Sequence, residues 1–318
     1  MDHDAYIALR ESAALIDLTG RGHIQLTGED RARLLHAMTS NHIEELKPGD
    51  CRYAFFLSAQ GRILSDVNVV CTESSLLLDT EPETAQAIYE HLDRYIIADD
   101  VTLSNLTGRV AVIGLEGPQS PAVLERMGID TPETGHWTEW RTCAVAALSA
   151  SGQRGFRFFV PLAEREATIG WIAGAGALQA GRLEWNTVRL ENGLARYGED
   201  ITDRQIPHDT GLLDRAVSFN KGCYVGQEIV ERVRSRGHAG RQLVHLLIPG
   251  PVAPVPHTKL WLGDREIGEI TSAAYSPASD AVFALAYVRA QAFPSEAIFS
   301  FEGGGSAALV ATTGLRSS

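Results

Sequence analysis

The pattern of secondary structure changes near residue 240 and divides the chain into two parts. Residues before that point mix helical and strand periodicities, whereas those after it form short strand patterns separated by Gly, Pro, Asp and Ser. Regularly spaced short strands with little helix are typical of a small β-barrel. The sequence therefore predicts an α+β protein with one unit over residues 1–240 and a C-terminal β-barrel over residues 241–318.

Within the first part, two strand patterns on either side of a turn predict a β-hairpin. Residues 52–57 and 62–72 flank the polar turn 58–61. Because side chains alternate across a strand, Ser65 and Asp66 should point to opposite faces, with Asn68 beside Asp66. Asp66 is then either a polar residue on an exposed strand face or a carboxylate in a binding pocket.

Composition excludes several classes of function. The formal net charge of -12 argues against general affinity for nucleic-acid phosphates. None of the four cysteines forms a Cys-x-x-Cys pair, so no metal site is predicted. No apolar run reaches the ~18 residues of a membrane span, and the N-terminus does not resemble a signal peptide. We expect a cytoplasmic protein with no membrane partner and no direct nucleic-acid partner.

The run from Lys221 to Glu228, Lys-Gly-Cys-Tyr-Val-Gly-Gln-Glu, places a thiol beside a lysine and between two glycines. A nearby lysine favours the thiolate form of a cysteine, and glycines permit sharp turns. The polar residues of this run would need partners in a core, which favours a loop. Cys223 is interpreted either as a reactive thiol activated by Lys221 or as a small buried side chain in a turn.

This run resembles the Lys-Gly-Cys-Tyr-x-Gly-Gln-Glu signature of the YgfZ family. Those folate-binding, iron–sulfur-maintenance proteins are relatives of the glycine-cleavage T-protein, an aminomethyltransferase. Residues 189–193, Arg-Leu-Glu-Asn-Gly, and 197–200, Tyr-Gly-Glu-Asp, resemble two further blocks of these families. The similarity covers most of residues 20–245. It implies a three-lobed, aminomethyltransferase-like fold with tetrahydrofolate near a central channel, in which residues 1–240 form a folate-binding region of two interleaved subdomains.

The resemblance also implies roles for two carboxylates. In the T-protein relatives, the glutamate that corresponds to Glu191 accepts hydrogen bonds from the pterin ring. Asp66 lies where the T-protein has a Gly-Gly-x-x-Asp-Asp pattern, in a region whose aspartate helps to orient the folate amine. Ser65 replaces the first of the two aspartates here, which counts against T-protein chemistry. Without the resemblance, Glu191 is a helix-end carboxylate that is exposed or paired with Arg189.

The resemblance extends to a wider set of candidate residues. Asn41 follows Thr39-Ser40 in an element similar to the family's Ser/Thr-x-Asn, although a helix C-cap is an equal interpretation. The predicted catalytic residues are Cys223, Lys221 and Asp66. The predicted cofactor-binding residues are Glu191, Asp66, Asn41, Arg189, Tyr197 and Gln227.

Four arginines follow the cysteine run closely, at positions 232, 234, 236 and 241. Such a cluster is suited to an anionic ligand tail, such as a polyglutamate. The alternative is a solvated basic strand and turn.

Three functions are consistent with these features. The favoured one is a tetrahydrofolate-binding protein that supports assembly or repair of iron–sulfur clusters in client enzymes, including tRNA-modifying ones. Its partners would be folate and iron–sulfur client or assembly proteins. The alternative is a folate-dependent aminomethyltransferase or demethylase of the T-protein type. A third is a non-catalytic interaction scaffold that does not bind folate.

Overall fold

The computed structural model describes residues 1–237, 240–289, 297–301 and 305–312. Within these ranges the α-helices, in chain order, are α1 His3–Glu11, α2 Arg31–Met38, α3 Ala85–Asp93, α4 Ser120–Arg126, α5 Arg165–Gly174, α6 Arg182–Glu191, α7 Leu213–Ala216 and α8 Gln227–Arg236. Two short 3-10 helices cover Leu162–Glu164 and Pro207–Asp209.

The strands of the same described ranges form two sheets and a barrel. In chain order they are β1 Ala14–Asp17, β2 Gly22–Thr27, β3 Cys51–Leu57, β4 Ile63–Cys71, β5 Ser75–Thr80, β6 Thr102–Asn105, β7 Val110–Glu116, β8 Trp137–Trp140, β9 Cys143–Ala146, β10 Gly155–Pro161, β11 Leu178–Ala180, β12 Arg241–Pro249, β13 Lys259–Leu262, β14 Arg265–Ser276, β15 Ala281–Arg289, β16 Ile298–Phe301 and β17 Gly305–Thr312.

The first sheet has the strand order β11-β1-β7-β10-β9-β8. Its central strands β7 and β10 are almost entirely buried, as expected from their nearly continuous apolar sequences. The core on one side of this sheet includes Leu15, Ile113 and Phe158, and it is closed by α4 and α5 through Leu124 and Ile172. The sheet is thus a scaffold covered by helices.

The second sheet has the order β3-β4-β5-β2-β6, and every neighbouring pair is antiparallel. The β3–β4 hairpin that the sequence predicts is present, with Phe55 opposite Asp66 and Phe56 opposite Ser65. Cross-strand partners share a face, so Ser65 and Asp66 point to opposite sides of the sheet. A register shift follows Phe56 and moves the buried Ile63 into a different core.

The two sheets interleave along the chain. Strand β1 belongs to the first sheet, strands β2 to β6 build the second, and the chain then returns to the first sheet at β7. This order brings the end of β1 beside the strands of the second sheet. Helix α6 packs against both α1 and the barrel strand β14.

The C-terminal strands close into a six-stranded barrel with the order β12-β15-β14-β13-β16-β17. All of its pairings are antiparallel, and its interior is filled by apolar side chains that include Val244, Ile270, Ala286 and Phe299. The prediction of an α+β chain with a C-terminal β-barrel is therefore confirmed.

Three of the four arginines after the cysteine run, Arg232, Arg234 and Arg236, lie on α8, and Arg241 begins β12. The alternative of a basic strand and turn is therefore wrong for the first three. Helix α8 begins after Gly226 and ends before Gly237, and both glycines have left-handed backbone angles (φ of 87° and 79°). Glycine adopts this conformation without the steric cost of a Cβ atom. On the helix, Arg232 pairs with Glu228 and Arg234 lies over the ring of Phe219. None of the helices in the described ranges is long and apolar enough to cross a membrane.

Candidate functional site

A cavity of about 420 Å³ lies where the two sheets, α6 and the segment before α7 meet. This volume falls within the range of small-molecule sites. Its walls carry more cationic than anionic side chains. The arginines are Arg21, Arg157, Arg182, Arg189, Arg196 and Arg215, the acids are Asp17, Asp66 and Glu81, and the large aromatic residues are Tyr53 and Trp185.

Asp66 of β4 lines this cavity, and one oxygen of its carboxylate is left unsatisfied. The hydroxyl of Tyr53 donates a hydrogen bond of 3.0 Å to Oδ2, whereas Oδ1 is buried and has no hydrogen-bond partner in the described structure. Burial raises the pKa of Asp66 to about 6, and the negative charge of Glu81 adds to this effect. A buried acceptor without a partner is costly in a folded protein, so the cavity is suited to a ligand that donates to Asp66.

Ser65, the residue that departs from the Asp-Asp pattern, faces away from this cavity. Its hydroxyl lies 2.7 Å from the hydroxyls of both Thr80 and Thr84, and it is fully buried. The neighbouring Asp66 alone reaches the cavity because the strand alternates. The departure therefore removes no carboxylate from the site.

A chain of ion pairs fixes the polar wall of the cavity. Asp79 lies behind that wall, where it accepts hydrogen bonds from Arg21, at 2.5 Å from its Nε, and from Arg157. Burial alone would raise the pKa of Asp79, but these two guanidinium groups lower it to about 2. The amide nitrogen of Asn68 also donates to Asp79, and the buried Oδ1 of Asn68 has no partner among the described residues. Asn68 also lines the cavity, so it is a second lining residue with an unsatisfied acceptor.

The chain of ion pairs continues to the barrel through α6. Arg196 bridges Glu81 and Glu199, at 2.7 and 2.8 Å. Arg189 donates to Glu199 at 2.8 Å and to Asp200 at 2.6 Å, and its side chain is almost fully buried. Asp200 in turn accepts hydrogen bonds from two barrel hydroxyls, those of Thr271 and Ser272. Arg189 therefore lines the cavity with its donors already committed to neighbouring acceptors.

Asn41 lies behind the cavity wall and connects two of its residues. Its amide nitrogen donates to the carbonyls of Tyr53 and Arg215, both at 2.9 Å. The guanidinium of Arg215 lies 4.4 Å from the centre of the Tyr53 ring. Asn41 therefore orients residues that face the cavity and does not line the cavity itself.

Lys221, the residue predicted to activate the thiol, holds the loop that carries Cys223. The ammonium of Lys221 donates to the carbonyls of His36, Thr39 (2.6 Å) and Asn41 (2.8 Å), at the C-terminal end of α2. Burial lowers the pKa of Lys221 to about 7, although the three carbonyls favour its protonated form. Cys223 itself is exposed, whereas the other three cysteines are buried.

Neither Lys221, Cys223 nor Gln227 lines the cavity. The ring of Tyr224 packs into a core with Phe55 and Leu57, and this contact anchors the loop against β3. The structure thus brings Asp66 and Arg189 together, with Asn41 behind them, and places the cysteine loop elsewhere. The catalytic roles predicted for Cys223 and Lys221 stay predictions.

Two other predicted residues have contacts outside the cavity. Glu191 accepts a hydrogen bond from Tyr6 and pairs with Arg10, at 3.0 Å from its Nε, so its carboxylate faces α1. Tyr197 donates from its hydroxyl to the carbonyl of Leu64 at 2.6 Å, and this bond supports β4 next to Asp66. The pterin contact predicted for Glu191 stays a prediction.

Sequence reasoning missed Tyr53 and Arg215 as cavity residues. A signal for Tyr53 was present, because the hairpin register places it opposite Asn68 and on the face of Asp66. No local pattern marks Arg215, whose position depends on how α7 packs against β3. No group of three or more His, Cys, Asp or Glu side chains is arranged to hold a metal ion in the part of the chain that the structure describes.

Comparisons with known proteins identify the family. The model of the GCVT N-terminal domain matches residues 3–221, and that of the glycine cleavage T-protein C-terminal barrel domain matches residues 241–309. The chain belongs to the glycine-cleavage T-protein family. The predicted aminomethyltransferase-like folate-binding fold is thereby confirmed. The prediction of tetrahydrofolate is confirmed for the family, whose aminomethyltransferases use it.

Individual relatives agree with this assignment. An aminomethyltransferase of Streptomyces coelicolor is 31% identical over 307 residues, which cover 90% of this chain and 81% of the relative. A putative chloroplastic transferase of Arabidopsis thaliana is 25% identical over 299 residues, which cover 92% and 68%. The crystal structure of glycine cleavage system aminomethyltransferase T from Bartonella henselae has a TM-score of 0.89 and 23% identity, and the match covers 98% of this chain and 88% of that chain. This last similarity concerns the fold.

Proposed function

We propose that this protein binds tetrahydrofolate in the cavity beside Asp66 and acts as a folate-dependent aminomethyltransferase or demethylase. The observation that carries the proposal is that Asp66 lines a cavity of suitable volume while its buried Oδ1 lacks a partner among the described residues. The family membership and the aminomethyltransferase relatives support the same activity.

The donors of a reduced folate match the acceptors of the cavity. A reduced pterin and its linking amine present N–H groups, and a carboxylate is a strong acceptor for such donors. Asp66 and Asn68 each offer a buried oxygen without a partner in the described structure. When bound, tetrahydrofolate would supply the amine nitrogens that accept a one-carbon unit.

The chain's own residues would hold this amine and its proton. The Tyr53 hydroxyl fixes Oδ2 of Asp66, which leaves Oδ1 to orient a donor in the cavity. Because its pKa is about 6, Asp66 is ionised at neutral pH but can hold a proton at modest cost. The charged wall from Arg157 to Arg196 is internally paired and keeps the cavity shape fixed.

The direct test is an anaerobic calorimetric titration with tetrahydrofolate of the wild type and of the Asp66→Asn and Glu191→Ala variants. We expect saturable binding by the wild type and a loss of affinity of roughly tenfold or more in Asp66→Asn. A similar loss in Glu191→Ala would support the predicted pterin contact. Absence of binding by the wild type would reject this function and favour the non-catalytic scaffold.

A second candidate function is support of iron–sulfur cluster assembly or repair in client enzymes, including tRNA-modifying ones. Its supporting observation is the exposure of Cys223 on an anchored loop, since an accessible thiol can react with a partner or cluster. Its test is complementation of a deletion strain, with iron–sulfur enzyme activity as the readout. Cys223→Ser should fail to restore that activity while remaining folded, and full restoration would refute the role of the thiol.

A further inference from the structure

Arg215 differs from the other arginines of the cavity in having no ion-pair partner within the described residues. Each of the other five contacts a carboxylate, either Asp79, Glu81, Glu199 or Asp200. The Arg215 side chain is exposed at the cavity wall and contacts the face of the Tyr53 ring. Its guanidinium thus has no carboxylate to balance its charge within the described residues, whereas each of the other five has at least one.

The surrounding contacts hold Arg215 in place. A cation–π contact restrains the position of a guanidinium over an aromatic ring and leaves its N–H groups available for hydrogen bonds. Asn41 ties the backbone of Arg215 to that of Tyr53. The hydroxyl of Ser40 adds a second connection, because it donates to the carbonyl of Ala216 and accepts from the backbone N–H of Phe55. Helix α7 is therefore fastened to β3 at the position of Arg215.

We propose that Arg215, held over the ring of Tyr53, forms a subsite for a carboxylate group of the substrate at the edge of the cavity. This inference rests on the proposed function, since it assigns part of the same cavity. A guanidinium binds a carboxylate through two parallel hydrogen bonds, which lysine cannot reproduce. The carboxylate belongs either to the glutamate group of folate or to an amino-acid amine donor.

Asn41 and Lys221 act in this subsite as positioning residues. The side-chain amide of Asn41 donates to the backbone carbonyls of Tyr53 and Arg215. The ammonium of Lys221 donates to the backbone carbonyl of Asn41. The lysine of the cysteine run thereby supports the cavity through one intermediate residue. Asn41→Ala should reduce the ratio of affinities for ligands with and without the carboxylate, and a general loss of stability would not change that ratio.

The first arm of the test compares tetrahydrofolate with 6-methyltetrahydropterin, which lacks the glutamate group. Both are titrated anaerobically into the wild type, Arg215→Gln, Arg215→Lys and the control Arg109→Gln. Arg109 is an exposed arginine that does not line the cavity. If the glutamate group binds here, Arg215→Gln should lower the affinity for tetrahydrofolate by roughly 10- to 100-fold. The affinity for 6-methyltetrahydropterin should stay unchanged. Arg215→Lys should bind tetrahydrofolate more tightly than Arg215→Gln does, but less tightly than the wild type.

The second arm compares N-methylglycine with methylamine as ligands of the pterin-saturated protein. If the carboxylate belongs to the amine donor, Arg215→Gln should lower the affinity for N-methylglycine by a similar factor and leave the affinity for methylamine unchanged. Either selective loss supports the subsite and identifies the source of the carboxylate. Equal losses for ligands with and without a carboxylate, or no loss in either arm, would overturn the subsite and leave the folate site standing. Failure of the wild type to bind either pterin would overturn both proposals.

Discussion

The hydroxyl of Tyr53 donates to Oδ2 of Asp66 at 3.0 Å, while Oδ1 of the same carboxylate is buried without a partner in the described structure. This arrangement orients the carboxylate and leaves half of its hydrogen-bonding capacity unused. Burial and the nearby Glu81 raise its pKa to about 6, so ionised Asp66 is a source of instability in the free protein. Residues that are unfavourable for stability in this way are common at functional sites.

Asp66→Asn should therefore stabilise the protein while it weakens folate binding. A carboxyl whose folded pKa is raised above its unfolded value of about 3.9 loses stability as pH rises between those two values. The cost is nearly complete above about pH 6 and almost absent below about pH 3. We expect Asp66→Asn to gain at most about 3 kcal/mol in unfolding free energy at pH 7.5. Urea denaturation measures this gain.

The matched measurement is the same denaturation at about pH 3, where Asp66 is largely protonated in both states. The stability difference between wild type and Asp66→Asn should then almost vanish. A gain of equal size at both pH values would show that the ionisation of Asp66 is not its cause.

Restoring the Asp-Asp pattern by Ser65→Asp should not improve folate chemistry. Position 65 is fully buried on the opposite face from the cavity, among the hydroxyls of Thr80 and Thr84. A buried carboxylate without a cationic partner costs several kcal/mol, so we expect a loss of about 3 kcal/mol or more in unfolding free energy. Ser65→Ala should cost only about 1 to 2 kcal/mol. Denaturation curves of both variants, together with folate titration, distinguish these outcomes.

The hairpin shows how far the sequence determines this site. Alternation along β4 predicted the opposite faces of Ser65 and Asp66, because side-chain direction in a strand follows from local geometry. It did not predict which face would meet the cavity, since that depends on α6 and α7, more than a hundred residues away in the chain. The same limit applies to Lys221, whose acceptors at residues 36, 39 and 41 are distant in sequence.

The barrel is a part of the fold that the sequence alone predicts. Its regularly spaced short strands and turn residues were sufficient to predict a small barrel. They did not predict the strand order, because only the pairs β13–β14, β14–β15 and β16–β17 join consecutive strands. The basic helix α8 was missed because its arginines gave no apolar periodicity, and only Val230 of this helix is buried.

Lys221 and Cys223 should differ in their effects on stability. Lys221→Met removes the ammonium that donates to three carbonyls at the end of α2, and we expect a cost of about 2 to 4 kcal/mol. Cys223 is exposed, so Cys223→Ser should change unfolding free energy by no more than about 0.5 kcal/mol. Chemical denaturation of the two variants measures the contrast. A neutral Lys221→Met would contradict the structural role of the lysine.

Asp200→Asn should loosen the attachment of the barrel to the rest of the protein. Asp200 is buried, accepts from Arg189 at 2.6 Å, and also accepts from the hydroxyls of Thr271 and Ser272. Removing its charge leaves a buried guanidinium less well paired, and we expect a cost of about 3 kcal/mol. If residues 1–240 and 241–318 are separate units, as we propose, the urea transition should also broaden and its slope should fall.

The matched control is Asp203→Asn, which removes an exposed carboxylate three residues away. We expect it to change unfolding free energy by less than about 0.5 kcal/mol and to leave the slope of the transition unchanged. Because Asp200 also supports Arg189 at the cavity wall, Asp200→Asn should weaken tetrahydrofolate binding even under conditions where the variant is fully folded. A destabilised variant with wild-type folate affinity would show that the barrel contact and the cavity are energetically independent.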